Sequence, residues 1–326
     1  MDTTRVSWRL HRFYDELTSV DAILRALARD RQEEGTVTAA DLYTRALDCQ
    51  NLGGFGLLER HAALVAEYQA LGALQRVLDI GCGLGGPGRY LADRFGCAVT
   101  GMDVLPMRVQ AAATLTQMVG LGDRITYCQG DATRLPFPAQ QFAQAWLLDV
   151  SIHIANKAAL FGELARVVQV DGLLVLHDQI GPLPPAMRPA TRRAPYIAPA
   201  LPQLVRSVEG AGFRVLTWRD TTATVLTYMQ GRRADLWQGM ERGPHAARRQ
   251  RRLAIITAYI EALGQQGSRT GVLIARRPAE AAGHRVASRW AGNRPSTGAL
   301  SCHTRQASCR AVPWSPDNVF RRPSGS

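Results

Sequence analysis

The sequence predicts an α/β protein with a doubly wound, mostly parallel sheet of seven strands that is flanked by helices. Two observations predict this class. The apolar run 77–80 leads directly into a glycine-dense turn and a helix start at 81–87, the order expected where a parallel strand feeds a crossover helix. Further apolar runs then alternate with helical patterns, as expected when consecutive strands share one parallel sheet.

Seven runs predict the strands of this sheet. They cover 77–80, 97–103, 125–129, 142–148, a fifth run that ends at 178, 213–220 and 271–275. Residues 1–70 show helical patterns, and an arginine-rich helical insert separates the last two strands. The segment 181–202, between the fifth and sixth strands, holds seven prolines, a density that predicts an extended chain.

Acidic residues stand at or just past the carboxyl ends of the first four predicted strands. They are Asp79, Asp103, Asp131 and Asp149. Ligands of open α/β sheets bind outside this edge, and a carboxylate about 20 residues beyond the first turn commonly meets ribose hydroxyls. Four carboxylates without a lysine suit a nucleoside that carries positive charge better than they suit a polyphosphate.

The glycine spacing leaves a second ligand class open. Gly81, Gly83 and Gly86 satisfy G-x-G-x-x-G, the pattern of dinucleotide-binding turns, so an NAD-dependent oxidoreductase is an alternative. Asp79 argues against that alternative, because a carboxylate two residues before the turn would repel a pyrophosphate. It favours a ligand that bears an ammonium group.

Four ordered motifs extend this pattern. They are VLDIGCGLGGPGRYLA (77–92), VTGMD (99–103), GDATRLPFPAQQFAQAW (130–146) and DVSIHIANKAALFGELARVVQVDGLLVLHD (149–178). Together they resemble the class I S-adenosylmethionine-dependent methyltransferases, and most closely the small-molecule enzymes of the sarcosine/dimethylglycine and tocopherol methyltransferase type. The resemblance covers 41–278. It implies a Rossmann-like fold, S-adenosyl-L-methionine as cofactor, and methyl transfer to a nitrogen or oxygen of a natural-product or amine-type metabolite.

The resemblance also implies which residues hold the cofactor. These are Asp79, Gly81, Cys82, Gly83, Asp103, Val104, Asp131, Ala132 and Leu148. Asp79 and the glycine turn are expected along the methionine part, close to its ammonium. Asp103 is expected to accept hydrogen bonds from both ribose hydroxyls, and Asp131 from the adenine amino group, with the Ala132 N–H near the ring nitrogen.

The residues after the fourth strand are the candidates for catalysis. Members of the family often show an acidic residue, three positions, a histidine and then a D-K pair, which here reads Asp149, His153, Asn156 and Lys157. On a helical turn, Asp149 and His153 would share one face and point into the pocket. His153 is then a general base or substrate contact, or else it orients the loop. His177 and Asp178, at the end of the fifth strand, are second candidates for catalysis. Tyr43 and Asn51, in the N-terminal lid, are expected to contact the substrate.

The other alternative is a nucleic-acid methyltransferase that acts on RNA, and the formal net charge of +12 is the observation that favours it. The location of the charge argues against it, because residues 279–326 and 231–252 each hold seven arginines and two acids, a net +5 each. The run Leu148–Ser151 also lacks the [DNS]-P-P-[YFW] pattern of exocyclic base methylation. We therefore expect a small-molecule acceptor and no nucleic-acid partner.

Four parts make up the predicted organisation. They are an N-terminal helical lid (1–70), a core that binds the cofactor (71–180), the rest of the sheet with substrate-side inserts (181–278), and a basic, disordered tail (279–326). No apolar run approaches the ~18 residues of a membrane span, and no signal peptide is evident. The six cysteines show no metal spacing. We expect reduced thiols, no metal, no membrane partner, a cytoplasmic location, and a monomer or homodimer.

Overall fold

The computed structural model describes residues 23, 37–44, 48–49, 51–182, 197–238, 246–264 and 268–279. Three predicted features lie wholly or mostly outside these residues. They are the first half of the helical lid, the proline-rich stretch 183–196, and the basic tail from 280 onward.

Seven strands form a single sheet in the described part of the chain. Their bounds are β1 Arg76–Ile80, β2 Ala98–Asp103, β3 Ile125–Gln129, β4 Phe142–Leu148, β5 Val168–Ile180, β6 Arg214–Asp220 and β7 Arg269–Arg276. They lie in the order β3-β2-β1-β4-β5-β7-β6, and β7 runs antiparallel to both of its neighbours. The other pairs are parallel. This confirms the predicted seven-stranded, mostly parallel α/β fold.

Helices connect the strands and cover the sheet. They are α1 Ala39–Thr44, α2 Gly54–Ala66, α3 Gly86–Phe95, α4 Pro106–Met118, α5 Lys157–Val167, α6 Leu201–Gly210, α7 Thr222–Gln238 and α8 Ala246–Gly264. The chain runs from β1 outward to β2 and β3, and then returns to place β4 on the other side of β1. In such a sheet the ligand crevice lies where the order reverses, at the carboxyl ends of β1 and β4.

The strand β4 lies at the centre of the core, and all of its residues are buried. Because side chains alternate along a strand, Leu147 packs on one face with α5 and α6, while Trp146 packs on the other with α2 and α3. Burial on both faces explains why this strand reads as a near-continuous apolar run.

The insert between β6 and β7 is helical, as predicted. Its helices α7 and α8 pack on each other and on Leu57 of α2, so the insert lies against α2. The prediction of an extended chain as far as 202 is wrong at its end, where α6 begins at Leu201. Pro202 is tolerated in the first turn of α6, because its missing N–H costs no helical hydrogen bond there. Among the described helices, none is both long and apolar enough to cross a membrane.

Candidate functional site

A cavity of about 290 Å³ lies at the carboxyl ends of the first four strands. Every residue that the resemblance implies for the cofactor lines it, and so do Asp149 and His153: Asp79, Gly81, Cys82, Gly83, Asp103, Val104, Asp131, Ala132, Leu148, Asp149 and His153. The second catalytic candidates, His177 and Asp178, do not line it. Asn51 also lines the cavity. Parallel strands end at the same edge of a sheet, so these residues meet although they are distant in sequence.

The glycine turn after β1 is fastened to β2. The N–H groups of Gly81 and Cys82 both donate to the Met102 carbonyl, at 2.7 and 3.1 Å. Gly81 has a φ of +67°, and a Cβ there would lie 2.4 Å from a methyl carbon of Val150, so no side chain fits. The turn therefore holds its backbone against the cavity in one conformation before α3 begins at Gly86.

Asp103, the last residue of β2, accepts backbone N–H groups on both carboxylate oxygens and keeps further acceptor capacity. Oδ2 accepts the Gly83 N–H at 3.0 Å, and Oδ1 accepts the Leu105 N–H at 2.9 Å. The Val104 N–H also hydrogen-bonds this carboxylate. A carboxylate has about four lone-pair positions, so at least one remains for a ligand. Burial raises the pKa of Asp103, while these N–H groups and the Arg108 guanidinium oppose the rise. This geometry fits a ligand with two neighbouring hydroxyls.

Asp79, in β1, is a buried carboxyl group with an open acceptor. Its Oδ2 has no hydrogen-bond partner among the described residues, although the residue is only 2% exposed. Burial and then the charge of Asp103 raise the pKa of Asp79 to about 7, and the Gly88 N–H and the Arg89 guanidinium oppose the rise. Because an unpartnered buried acceptor is costly, this one fits a ligand that brings N–H donors and positive charge.

Asp131, two residues past β3, has one oxygen committed and one open. Its Oδ1 accepts both the N–H and the hydroxyl of Thr133, each at 2.8 Å. These bonds occupy both lone pairs of Oδ1 and fix the side chain, so Oδ2 can accept a donor from a ligand.

Asp149, directly after β4, is held by two other segments. Its Oδ1 accepts from Nδ1 of His177 at 3.0 Å, and its Oδ2 accepts the Leu52 N–H at 2.5 Å. The backbone at Asp149 is left-handed, with a φ of +61°. The expectation that Asp149 and His153 share a helical face is therefore wrong, because helical geometry is confined to the 3₁₀ turn Ser151–His153. Both side chains nevertheless line the cavity.

Asp178 lies behind the turn that carries His153. Its Oδ2 accepts the Ile152 N–H at 3.1 Å. Burial and then the charge of Asp149 raise the pKa of Asp178 to about 7. Asp178 fixes the turn from within β5 and is not part of the cavity wall.

The other two residues of the family-like pattern also support the loop. Lys157 donates from Nζ to the carbonyls of Ser151 and Ile154. Asn156 directly precedes α5 and caps it, because its side chain accepts the Ala159 N–H at 3.0 Å. These contacts hold His153 at the cavity.

Tyr43 lies in the core and not along the cavity wall. Its hydroxyl donates to Asp93 at 2.8 Å, and its ring stacks on Phe55 with 4.9 Å between centroids. Burial and the hydrogen bond to Asp93 raise the pKa of Tyr43 to about 12. These contacts give it a packing role.

Asp48 lines the cavity, although no sequence pattern singles it out. It forms an ion pair with Arg89 of α3, with 2.6 Å between Nη2 and Oδ2, and both side chains are fully buried. The two residues stand 41 positions apart, so their relation appears only in the folded chain.

Comparison with known proteins covers the segment that builds most of this cavity. Residues 78–176 match a family model described as a methyltransferase domain. A sterol 24-C-methyltransferase of Eremothecium gossypii is 28% identical over 123 residues, which are 38% of this chain and 33% of that protein. A chloroplastic protein of Oryza sativa subsp. japonica, named as a tocopherol O-methyltransferase, is 32% identical over 117 residues, which are 35% of this chain and 32% of that protein. The chain thus matches about a third of the length of these relatives.

A solved structure shares the fold over a longer span. It is a protein of Galdieria sulphuraria named as a sarcosine dimethylglycine methyltransferase, with a TM-score of 0.62 and 20% identity. The alignment covers 68% of this chain and 86% of that one. The similarity extends the shared fold beyond the matched domain.

Proposed function

We propose that this chain, whose residues 78–176 match a methyltransferase domain, is a class I S-adenosylmethionine-dependent enzyme that transfers a methyl group from S-adenosyl-L-methionine to a small-molecule metabolite. The proposed acceptor is a nitrogen or oxygen of a natural-product or amine-type compound. One observation carries the proposal: a single cavity joins the glycine turn to the carboxylates of Asp79 and Asp103, which keep open acceptor positions. This lining suits a cationic nucleoside with neighbouring hydroxyls.

The residues present fit that cofactor part by part. When bound, S-adenosyl-L-methionine supplies a methyl group that its sulfonium charge activates for in-line displacement. In the proposal, Asp79 accepts from its ammonium, Asp103 from its two ribose hydroxyls, and Asp131 from its adenine amino group. Val104 and Leu148 add apolar wall. Orienting the reactants and excluding water lowers the activation barrier of such a reaction by about 7–11 kcal/mol.

Asp149 and His153 are the proposed groups on the acceptor side. An acceptor that arrives as an ammonium or a hydroxyl has to lose a proton. A positioned general base accelerates such a reaction roughly 10²- to 10⁴-fold. His177 and Leu52 fix the Asp149 carboxylate, so it can take that proton or orient the acceptor by accepting its N–H or O–H. An imidazole nitrogen of His153 is the alternative proton acceptor.

The acceptor atom is the part of the proposal that the relatives constrain least. Their names refer to a carbon of a sterol in one case and to an oxygen of a tocopherol in the other. A shared fold leaves the substrate open, so a test has to include carbon acceptors beside amines and phenols.

Calorimetric titration of the full chain with S-adenosylhomocysteine tests the cofactor assignment. NAD is titrated in parallel, because the glycine spacing also satisfies the dinucleotide pattern. Binding of S-adenosylhomocysteine without binding of NAD supports the proposal, and the reverse result from a folded protein overturns it.

A labelled methyl donor then tests the acceptor class. The protein is incubated with amines, phenols, sterols and RNA, the last because of the net charge of +12. Labelled amine or phenol products support the proposal. Label found solely in sterol or in RNA overturns the nitrogen or oxygen small-molecule acceptor and leaves methyl transfer in place.

A further inference from the structure

We infer that Thr221 is a positioning residue for the proposed methyl transfer: its hydroxyl keeps His177 neutral, with the single ring proton on Nδ1. Thr270 sets the direction of that hydroxyl. Asp149 lines the cavity, and its described partners are the Leu52 N–H and this neutral imidazole, so its negative charge stays uncompensated. The inference rests on the proposed function, in which Asp149 acts on the acceptor.

A buried chain of contacts leads from Asp149 into the protein. Nδ1 of His177 lies 3.0 Å from Asp149 Oδ1, and Nε2 of the same ring lies 3.0 Å from the Thr221 hydroxyl oxygen. That oxygen lies 3.0 Å from the hydroxyl oxygen of Thr270. His177 and Thr270 are fully buried, and Thr221 is 8% exposed. Because buried polar groups need partners within the protein, the protons of this chain can be assigned by counting.

The count of protons favours a neutral ring. Among the described residues, the Thr270 hydroxyl has one hydrogen-bond partner, the Thr221 oxygen. The contact of Nε2 with Thr221 and the contact of Thr221 with Thr270 can each hold one proton. In a neutral ring the two hydroxyl protons fill both contacts: Thr270 donates to Thr221, and Thr221 donates to Nε2. A proton on Nε2 would be a third one, and it would leave a buried donor without an acceptor, which is costly.

The direction of the chain determines what Asp149 receives. A carboxylate can only accept, so the ring proton lies on Nδ1 of His177 and is donated to Asp149. Hydrogen bonds that run in one direction polarise one another, so the two hydroxyls strengthen the bond that holds Asp149. An imidazolium would instead form an ion pair with Asp149 and make that carboxylate a weaker proton acceptor.

The titratable neighbours of the ring do not favour an imidazolium. His61, on α2, lies 4.9 Å from His177 between ring centroids, and burial and then the charge of His177 lower the pKa of His61. Asp178, the next residue in β5, accepts the Ile152 N–H. Burial and then the charge of Asp149 raise the pKa of Asp178 to about 7, so its negative charge beside the ring is reduced near neutral pH.

The backbone fixes the two threonines against each other. Thr221 directly precedes α7, and its N–H donates to the Thr270 carbonyl of β7 at 2.9 Å. The hydroxyl of the next residue, Thr222, accepts the Thr270 N–H at 3.0 Å. Two hydroxyls therefore stand at one helix start, and the one on Thr221 contacts the ring of His177.

Nitrogen NMR of the full chain labelled at histidine tests the proton positions. The His177 signals are identified by their absence in His177→Gln. At about pH 7, wild type is expected to show a protonated Nδ1 and an unprotonated Nε2. The Nε2 signal is expected to shift in Thr221→Val, which lacks the donor, and to stay in place in Thr221→Ser, which keeps it. A proton on Nε2 in wild type overturns the inference.

Steady-state kinetics with an identified acceptor measures the consequence for the reaction. Thr221→Val is expected to lower kcat by roughly 3- to 10-fold, because one neutral hydrogen bond of the chain is lost. Thr221→Ser is expected to restore kcat to within about 2-fold of wild type. Thr270→Val keeps the Thr221 donor, so its loss is expected to be smaller. The Kd for S-adenosylhomocysteine is expected to stay within about 2-fold throughout, because neither threonine lines the cavity.

The matched control is Thr222→Val. It removes a hydroxyl from the same helix start by the same substitution and leaves the chain to His177 intact, so it is expected to keep the wild-type rate and NMR signals. Equal losses of rate in Thr221→Val and Thr222→Val contradict the positioning role. Thr221→Ala also lacks the hydroxyl and serves where Thr221→Val does not fold.

The outcomes separate this inference from the proposed function. A folded wild type that binds no S-adenosylhomocysteine and transfers no methyl group overturns the proposed function, and with it the role of Thr221 in that reaction. A wild type that transfers methyl groups but carries a proton on Nε2 of His177 overturns this inference alone. A wild-type rate in Thr221→Val, with a shifted Nε2 signal, shows that the hydroxyl does not position Asp149.

Discussion

Nδ1 of His177, a buried residue of β5, lies 3.0 Å from Oδ1 of Asp149, which directly follows the neighbouring strand β4 and lines the cavity. A carboxylate can only accept, so Nδ1–H of His177 donates. In the neutral ring the other nitrogen, Nε2, then accepts from the Thr221 hydroxyl at 3.0 Å. The imidazole is fixed at both nitrogens and in turn fixes one oxygen of Asp149, which makes His177 a positioning residue.

Replacing His177 tests this relationship. We expect His177→Leu to lower kcat for an identified acceptor by roughly 10- to 100-fold, because Asp149 loses a hydrogen bond to a charged group that is worth about 1.5–3 kcal/mol. The Kd for S-adenosylhomocysteine is expected to stay within about 2-fold, and His177→Gln to restore part of the rate. Steady-state kinetics and calorimetry measure the two effects.

His61 provides the control for that experiment. Its buried ring lies 4.9 Å from the His177 ring between centroids, and it makes no hydrogen bond to Asp149 in the described contacts. His61→Phe keeps a ring at this position and is expected to retain the wild-type rate. An equal loss of rate in both variants, or a loss of cofactor affinity in His177→Leu, contradicts the positioning role.

Asp103→Ala is expected to weaken binding of S-adenosylhomocysteine by at least ~100-fold. The reason is the loss of two charge-assisted hydrogen bonds of about 1.5–3 kcal/mol each. Asp103→Asn keeps one acceptor oxygen and is expected to lose less. Calorimetry compares both variants with Asp123→Ala as the control, because the carboxyl group of Asp123 is exposed and lies away from the cavity. Unchanged affinity in Asp103→Ala would remove Asp103 from the ribose site.

The affinity for S-adenosylhomocysteine is expected to depend on pH through Asp79. Its pKa is raised to about 7 by burial and by Asp103, against the opposing Gly88 N–H and Arg89, and an ammonium binds best to the ionised form. Affinity should therefore be about 10-fold lower at about pH 6 than at about pH 8. His153 also lines the cavity and carries an ionisable imidazole, so Asp79→Asn is needed to isolate the effect of Asp79. A pH profile unchanged in Asp79→Asn contradicts the assignment to Asp79.

In the ligand-free protein, the contribution of Asp79 to stability is expected to change with pH in the opposite direction: it falls as the pH rises. The pKa of Asp79 in the fold, about 7, lies above its ordinary value of 3.8, so the fold binds this proton more tightly than the unfolded chain does. The stability that Asp79 contributes is fully present below about pH 4 and is lost as the pH rises to about 7. Thermal melting should therefore show Asp79→Asn gaining stability relative to wild type between about pH 5 and pH 8.

His153→Ala separates the two roles left open for that residue. If His153 is the general base, turnover falls by roughly 10²- to 10⁴-fold while cofactor affinity and melting temperature stay near wild type. If His153 orients the loop, the melting temperature falls with the rate. A wild-type rate for an acceptor that must lose a proton excludes the base.

The strands and their acidic ends could be predicted because both signals are local. Apolar runs that end in an acid or a glycine predicted the exact bounds of β3 and β4. Because the strands are parallel, their carboxyl ends meet at one edge of the sheet. The pair of Asp48 with Arg89 depends on the packing of a loop against α3, which no periodicity encodes. The left-handed backbone at Asp149 could not be predicted either. Its side chain is held by hydrogen bonds to His177 in β5 and to Leu52 before α2, and both residues are distant in sequence.

The boundary of the folded part is the last prediction. Arg277, just past β7, donates its N–H to the Gly172 carbonyl at 2.9 Å and accepts the Asp171 N–H at 2.7 Å, and its side chain donates to the Val168 carbonyl at 2.5 Å. A chain cut after Pro278 keeps these bonds and is expected to melt within about 2 °C of the full chain. A cut after Arg276 loses them, at about 1 kcal/mol each, and should melt roughly 5–10 °C lower. If the cut after Pro278 lowers the melting temperature as much as the cut after Arg276, residues 279–326 stabilise the fold and are not a separate tail.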